Sequence, residues 1–394
     1  MHLSINIIGD AFADIYCYLE GDMPSLGGDA RLTQPIHKVP GGSGLNTATH
    51  LSSLLCNFLT NNDTSVDKTN NTSNINLQTV INENDEYGKL LSNHCQKHNI
   101  RLINRRVSNT PACFFGTNES MQSNNKATST GHCAVIVSKG ERSFMTHLGT
   151  IGEFEGAHIL TNFRDLDNMN TTSTTSVHQH AHIAGYFNIS GFWGGKLKSK
   201  LVEMHKANQN MTISLVPQHD ATEHWDGGLL DLLVEHIDFL ILSEVEAKGI
   251  SKYYNTSDNT SQSDLLDHIA SFFEAYKVNV IVTLGSKGAV HIYNGDIIHQ
   301  QETIPITNVV DPTGAGDAFA AGFLHGYLSC KTKEDTDSNE MIEQGMKLGC
   351  AVGTSSIMVQ GASIPPKKDN IEKILDSITN ADKPTSDTKR QKIS

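Results

Sequence analysis

Val310-Asp311-Pro312-Thr313-Gly314-Ala315-Gly316-Asp317-Ala318-Phe319-Ala320-Ala321-Gly322 is a turn of small residues that opens directly into an apolar helix. At such a start the first backbone N–H groups have no partner within the helix and lie beside the positive end of its dipole, so an anion is favoured there. Gly314, Ala315 and Gly316 carry minimal side chains and leave the amides open to a phosphoryl group. Asp317, in the first turn, can accept a proton from an attacking hydroxyl, and the combination reads as a phosphotransferase centre. The alternative is structural: Asp is favoured in a first turn and glycine-rich turns are common, so Asp317 could merely cap the helix. A second turn, Gly41-Gly42-Ser43-Gly44-Leu45-Asn46-Thr47-Ala48, favours the first reading. It too opens a helix, its glycines let the chain lie against a small polar ligand, and Asn46 can both donate and accept.

Outward from these turns, strands alternate with amphipathic helices. Ile5–Gly9, a helix over 45–58, Gln78–Ile81, a helix over 87–98 and Ala134–Ser138 come first. His180–Ala184, a helix over 196–208, Thr212–Val216, Phe239–Leu242 and Val280–Leu284 follow. Such alternation predicts an α/β three-layer sandwich with a mostly parallel central sheet. Residues 14–39 and 112–145 are short and strand-like without a helix of useful length, which predicts a small β-sheet lid. Ala318, Gly322 and Gly326 recur four apart on one helix and Gly345, Gly349 and Gly353 on the next, so these two helices are expected to touch with no side chain between them.

The 394 residues allow one large α/β domain or two ordinary ones at roughly 150 residues per domain. Three tracts rich in Asn, Thr and Ser, at 60–72, 117–130 and 168–176, are too polar to offset their ordering entropy and read as surface insertions in loops. With them set aside, residues 1–376 form a single enzyme-sized domain followed by a polar tail, 377–394. The tail's Lys389, Arg390 and Lys392 read as solvated rather than as a nuclear signal. Lys and Arg total 30 against 43 Asp and Glu, a net charge of −13, which argues against nucleic acid or an anionic membrane as partner. Seven scattered Cys without a CxxC pair read as reduced thiols, and no apolar run or basic leader follows Met1, so a cytoplasmic location is expected. His178, His180 and His182 alternate as zinc ligands on a strand can, but they adjoin a polar insertion with no Cys nearby and read as structural.

The two glycine turns resemble the signatures of the ribokinase-like carbohydrate kinase family, also called the PfkB family: a GG-x-x-x-N-x-A turn followed by a D-T-x-GAGD-x-F turn. The likeness continues through Gly9 and Asp14, Asp85-Glu86-Tyr87-Gly88, Gly140-Glu141-Arg142, Ser243 to Glu246, Val282 to Gly288 and Gly361 to Pro365, covering residues 3 to about 376. The resemblance implies ATP-dependent phosphorylation of a hydroxymethyl group on a sugar or nucleoside. Asp317 would be the general base, and the amides of Gly314, Ala315 and Gly316 the hole for developing phosphoryl charge. Asp14, Gly42 and Asn46 would hold substrate hydroxyls; Ser243, Thr283, Gly285 and Gly288 would lie along the nucleotide. Glu246 would orient the hydration shell of Mg2+, and Asp311, Thr313 and Ser363 would hold a monovalent cation, K+. Glu141 and Arg142 would be lid contacts, and an apolar lid face would favour a homodimer through the lid.

Two positions depart from the family pattern. Its N-x-x-E motif reads Ser243-Glu244-Val245-Glu246 here, with a shorter reach at Ser243 than at Asn, and Phe12 stands where ribokinases proper carry Asn. An apolar ring at 12 can pack against a base or another sugar, or serve the core. The acceptor is thus a sugar, as in ribokinase or fructokinase, or alternatively a nucleoside such as adenosine. A third alternative is an inactive sugar-binding relative with a regulatory role. For the kinase, Asp317→Asn is expected to cut turnover by at least about 10² to 10⁴ with the thermal midpoint nearly unchanged.

Overall fold

The computed structural model describes residues 2–58, 74–107, 128–139, 141–163, 177–234, 236–253, 262–331 and 337–381. The insertions expected at 60–72 and 168–176, residues 117–127 of the third, and the tail beyond 381 lie outside the described residues. The last helix runs to Ala381, five residues past the boundary expected at 376.

Nine strands form the main sheet: β1 (His2–Gly9), β4 (Asn74–Thr79), β5 (Ile100–Asn104), β8 (Val177–Ala184), β9 (Thr212–Val216), β10 (Phe239–Ser243), β11 (Asn279–Thr283), β12 (Ala289–Tyr293) and β13 (Asp296–Gln301). They lie in the order β13-β12-β11-β10-β9-β8-β1-β4-β5. All neighbours from β11 to β5 pair in parallel, whereas β12 and β13 pair antiparallel at one edge. The chain leaves β1 toward β4 and β5, then returns to β8 on the other side. The reversal falls between β1 and β8, where open α/β sheets leave a crevice at their carboxyl ends.

The strands read as continuous apolar runs because both faces are covered. In β10, Leu240 and Leu242 face one core while Phe239 and Ile241 face the other; in β11, Val280 and Val282 oppose Ile281. Against the first core pack α3 (Lys198–Ala207), α5 (Glu244–Ile250) and α6 (Gln262–Phe273). Against the second pack α1 (Ser43–Phe58), α2 (Glu86–Lys97), α7 (Ala315–Lys331), α8 (Ser338–Ser356) and α9 (Lys368–Ala381). A short α4 (Leu230–Leu233) completes the numbering. The two glycine stripes meet as expected: a Cβ built on Gly322 would stand 2.8 Å from the Leu348 carbonyl oxygen, and one on Gly326 2.8 Å from that of Gln344.

The lid is a separate four-stranded sheet, β3 (His37–Gly41), β2 (Phe12–Tyr18), β6 (His132–Ser138) and β7 (Glu141–His147), in that order. Ala134–Ser138 therefore belongs to the lid and not to the central alternation; it pairs with β2 on one side and β7 on the other. Because β2 leaves directly from the carboxyl end of β1, and β3 feeds directly into α1, the lid stands over the crevice.

His180 and His182 share a face of β8, as expected, but both bond the Ser214 hydroxyl, at 2.8 and 2.7 Å, and are buried. Among the described residues no His, Cys, Asp and Glu side chains cluster to hold a metal ion.

Candidate active site

Asp317 stands in the first turn of α7, 4% exposed, and three side chains from other parts of the chain converge on it. Ser43 Oγ donates to its Oδ1 at 2.7 Å and Asn46 Nδ2 to its Oδ2 at 2.8 Å, both from the start of α1. Gln218, just past the end of β9, donates to Oδ1 at 3.0 Å. The two glycine turns are thus one site. Burial raises the Asp317 carboxyl to about 7, against the lowering effect of its Asn46 and Ser43 bonds. A carboxylate has about four acceptor positions, so three donors leave room for one substrate hydroxyl.

The turn that presents Asp317 is held open by conformation. Gly314 has a φ of +77°, and a Cβ there would stand 2.7 Å from Cβ of Ala362. The Gly314, Gly316 and Asp317 amides have no hydrogen-bond partner among the described residues. Ala315 departs from expectation: its N–H closes a turn onto the Pro312 carbonyl at 3.3 Å, so the open amides of this turn are those of its neighbours.

Asp14 lies on β2, 7% exposed, with its carboxylate over Gly41, where a Cβ would sit 2.0 Å from Oδ2. Burial first, then the charges of Asp10, Asp317 and Asp311, raise it to about 8. Gly42, with φ +93°, leans on the β1–β2 junction, where a Cβ would stand 2.8 Å from Cα of Ala11; its carbonyl accepts the Asn46 N–H at 2.8 Å. It shapes the floor. Asn46 is engaged on both ends, because Ser363 Oγ donates to its Oδ1.

A chamber of about 210 Å³ lies before Asp317, lined by Gln218, Ser243, Glu246, Thr283 and the Gly314–Gly316 turn. Ser243 caps α5 and accepts from the Glu246 N–H at 3.3 Å, while Glu246 Oε2 accepts from the Ser243 N–H at 2.7 Å. This capping box explains how Ser serves where the family pattern has Asn: its hydroxyl orders the helix that presents Glu246. Burial raises the Glu246 carboxyl. A hard oxygen donor in a chamber with room for water fits a hydrated magnesium ion.

The chamber continues into a cleft of about 330 Å³ between the β11 end and α7–α8. Thr283 lines both; Gly285, with φ +60° and open space where a Cβ would be, lines the cleft with Ile304, Ile306 and Ile357. Gly288 also lines it, but its backbone meets β13 so closely that a Cβ would stand 1.9 Å from the Gln301 carbonyl.

Asp311 accepts the Thr313 N–H at 2.9 Å and the Gly361 N–H at 3.0 Å, and it pairs with Arg142 at 3.0 Å. The Thr313 hydroxyl has no partner among the described residues, and Ser363 serves Asn46. Phe12 is a core residue: its ring covers Gly131 and is buried with the first core.

Asp10, Gln218 and Asn188 escape sequence reasoning. Asp10 is buried with a raised pKa, accepts from Gly44 N–H at 3.1 Å and Asn188 Nδ2 at 2.6 Å, and lies against Gly185, whose φ is +72°. The available signal was its position directly after β1, where the fold concentrates function.

A profile of the pfkB family carbohydrate kinases matches residues 116–369, well over half of the chain. The chain is 34% identical over 123 residues to a nucleoside kinase of Methanocaldococcus jannaschii, which covers 31% of this chain and 36% of that protein. It spans 36% to 67% of the length of the curated relatives it matches. Its fold is similar to that of ribokinase from Giardia lamblia, with a TM-score of 0.70 at 16% identity over 94% of this chain and 99% of that one. It is also similar to Arabidopsis thaliana ribokinase complexed with ribose and ATP, with a TM-score of 0.62 at 20% identity over 95% and 99%. The matching profile, the sandwich with its lid and the two glycine turns converging on Asp317 make this chain a member of the pfkB family of carbohydrate kinases.

Proposed function

We propose that this protein transfers the γ-phosphoryl group of ATP to a primary hydroxyl of a sugar or sugar-like small molecule. The observation that carries the reading is the Asp317 carboxylate, bonded to Ser43 and Asn46 beside the amides of Gly314 and Gly316, which have no partner among the described residues, and opening on the chamber of about 210 Å³. The acceptor lies under the lid with vicinal hydroxyls on Asp14. Its reacting hydroxyl takes the remaining acceptor position of Asp317, which removes the proton as the new O–P bond forms and the bond to the β-phosphate oxygen breaks, releasing ADP. The Gly314, Gly316 and Asp317 amides receive the charge that develops on the transferred group. The nucleotide lies along Thr283, Gly285 and Gly288 in the larger cleft, with the Ser243 cap and Glu246 at the phosphate end. Magnesium, when bound through water to Glu246, supplies charge neutralisation of the phosphates.

A nucleoside acceptor is the second reading. It is favoured by the stack of Tyr16, Tyr18 and His37 on the lid, with ring centroids 5.4 to 5.8 Å apart, and by the nucleoside kinase among the relatives. Exposed Phe144 and Met145 on β7 support a homodimer through the lid. No described helix is long and apolar enough to cross a membrane, and none of the six described cysteines is in a disulfide, a pattern compatible with the cytoplasmic location we propose. A coupled ADP-release assay across pentoses, hexoses and ribonucleosides tests the activity and the acceptor, and sedimentation of the purified chain tests the dimer. Turnover with one class names the acceptor; no ADP with any of them leaves the inactive relative.

A further inference from the structure

The resemblance assigns Asp311, Thr313 and Ser363 to a monovalent cation, and two of these three side chains, Asp311 and Ser363, are already engaged elsewhere. Asp311 already holds a cation: Arg142 Nη2 stands 3.0 Å from its Oδ1, with the two side chains 14% and 2% exposed. The other contacts of that carboxylate are the Thr313 and Gly361 N–H groups. Ser363, the third expected ligand, donates to Asn46. A guanidinium keeps its charge at any working pH, and its planar fork suits a carboxylate. A potassium ion on the same carboxylate would face that fixed charge at contact distance, with little water to screen the two.

Arg142 is not part of the core that frames Asp311. It stands on β7 of the lid, opposite Val137. A second contact joins the same two parts, Gln360 Nε2 to the Tyr18 hydroxyl at 2.5 Å. Asp311 in turn fixes the Thr313 and Gly361 backbones, and Gly314 rests on Ala362, so the lid arginine is one link away from the amides of the anion hole.

We infer that Arg142 is the built-in cation of this site: its guanidinium balances Asp311 in place of a bound ion, so phosphoryl transfer needs no potassium and the Gly314–Gly316 turn is held from the lid. The inference rests on the kinase reading, and Arg142 is on this account a positioning residue, since it reaches the reacting atoms only through Asp311.

The test uses the full chain in potassium, sodium or tetramethylammonium chloride at equal ionic strength, reading both ADP release and thermal midpoint. The wild type is expected to give the same rate to within about twofold and the same midpoint in all three salts. Arg142→Ala is expected to lose about 10- to 100-fold in kcat, the range for residues that act through another group, with little change in acceptor KM. Part of that loss should return with potassium or millimolar guanidinium, and potassium should now raise the variant's midpoint. Activation of the wild type by potassium, a potassium-specific rise in its midpoint, or an Arg142→Ala kcat equal to wild type would each overturn the inference. Should that variant not fold, Arg142→Lys, which keeps the charge, must be as indifferent to potassium as the wild type. The midpoint series decides about the ion even without turnover, whereas absence of ADP with every acceptor would overturn only the kinase reading.

Discussion

Replacing Asp317 by Asn should move turnover and stability in opposite directions. Burial holds the Asp317 carboxyl at about 7, against an ordinary 3.8. That difference of about 3 pH units corresponds to about 4 kcal/mol, at about 1.4 kcal/mol per unit. The folded state binds this proton more tightly than the unfolded state does. Its stabilising effect is therefore complete below about pH 4 and lost as the pH rises to about 7. Asn never ionises and escapes that loss. Against it stands geometry: Ser43 and Gln218 donate to one oxygen and Asn46 to the other, so the amide NH2 must face a donor. A conflict of this kind costs about 1–3 kcal/mol. The net expectation is a variant close to wild type in stability near pH 5 and about 1–3 kcal/mol more stable near pH 8, where turnover falls by about 10² to 10⁴. This replaces the unchanged midpoint expected from sequence. Urea denaturation at the two pH values and a coupled ADP assay read the two quantities. Wild-type turnover in the variant would remove the base assignment, and a stability difference that stays flat with pH would show that Asp317 ionises in the fold without penalty.

Wild-type kcat should fall as pH drops below about 7, where Asp317 takes up its proton, and this fall should be missing from Asp317→Asn's residual rate. Asp14→Asn should raise acceptor KM about tenfold or more above about pH 8, where Asp14 is ionised, because a neutral amide accepts from two vicinal hydroxyls less well than a carboxylate, and the difference should shrink as Asp14 takes up its proton below that pH; initial rates across acceptor concentration at about pH 7 and about pH 9 check it. Glu246→Gln keeps an acceptor for the Ser243 N–H, so the helix should survive while the magnesium concentration for half-maximal rate rises about 10- to 100-fold. Gly326→Val pushes a side chain onto the Gln344 carbonyl and should cost about 1–3 kcal/mol in chemical denaturation.

Local patterns carried most of the fold. Phe239 to Leu242 must be a buried strand because every side chain is apolar and both faces are used. The glycine stripes announced a close helix pair because spacing by four can be read within one segment. What sequence could not give were pairings between distant segments. Arg142 and Asp311 are 169 positions apart, and nothing in the sequence around either one names the other as its partner. Ser43 and Gln218 reach Asp317 only once α1 and β9 flank α7. The Ala315 amide looked available because composition reveals which side chains are small, not which N–H closes a turn.

The bare-backbone seam between α7 and α8 bears on how the Asp317 carboxylate keeps its aim. Asp317 begins α7 and Gly326 lies nine residues further along, about 14 Å at 1.5 Å per residue. The helix is a rigid lever with its working tip in the chamber and its shaft clamped against Leu348 and Gln344 carbonyls. A methyl-sized wedge anywhere along the shaft must tilt the tip, so residues far from the chamber govern the alignment of the Asp317 carboxylate.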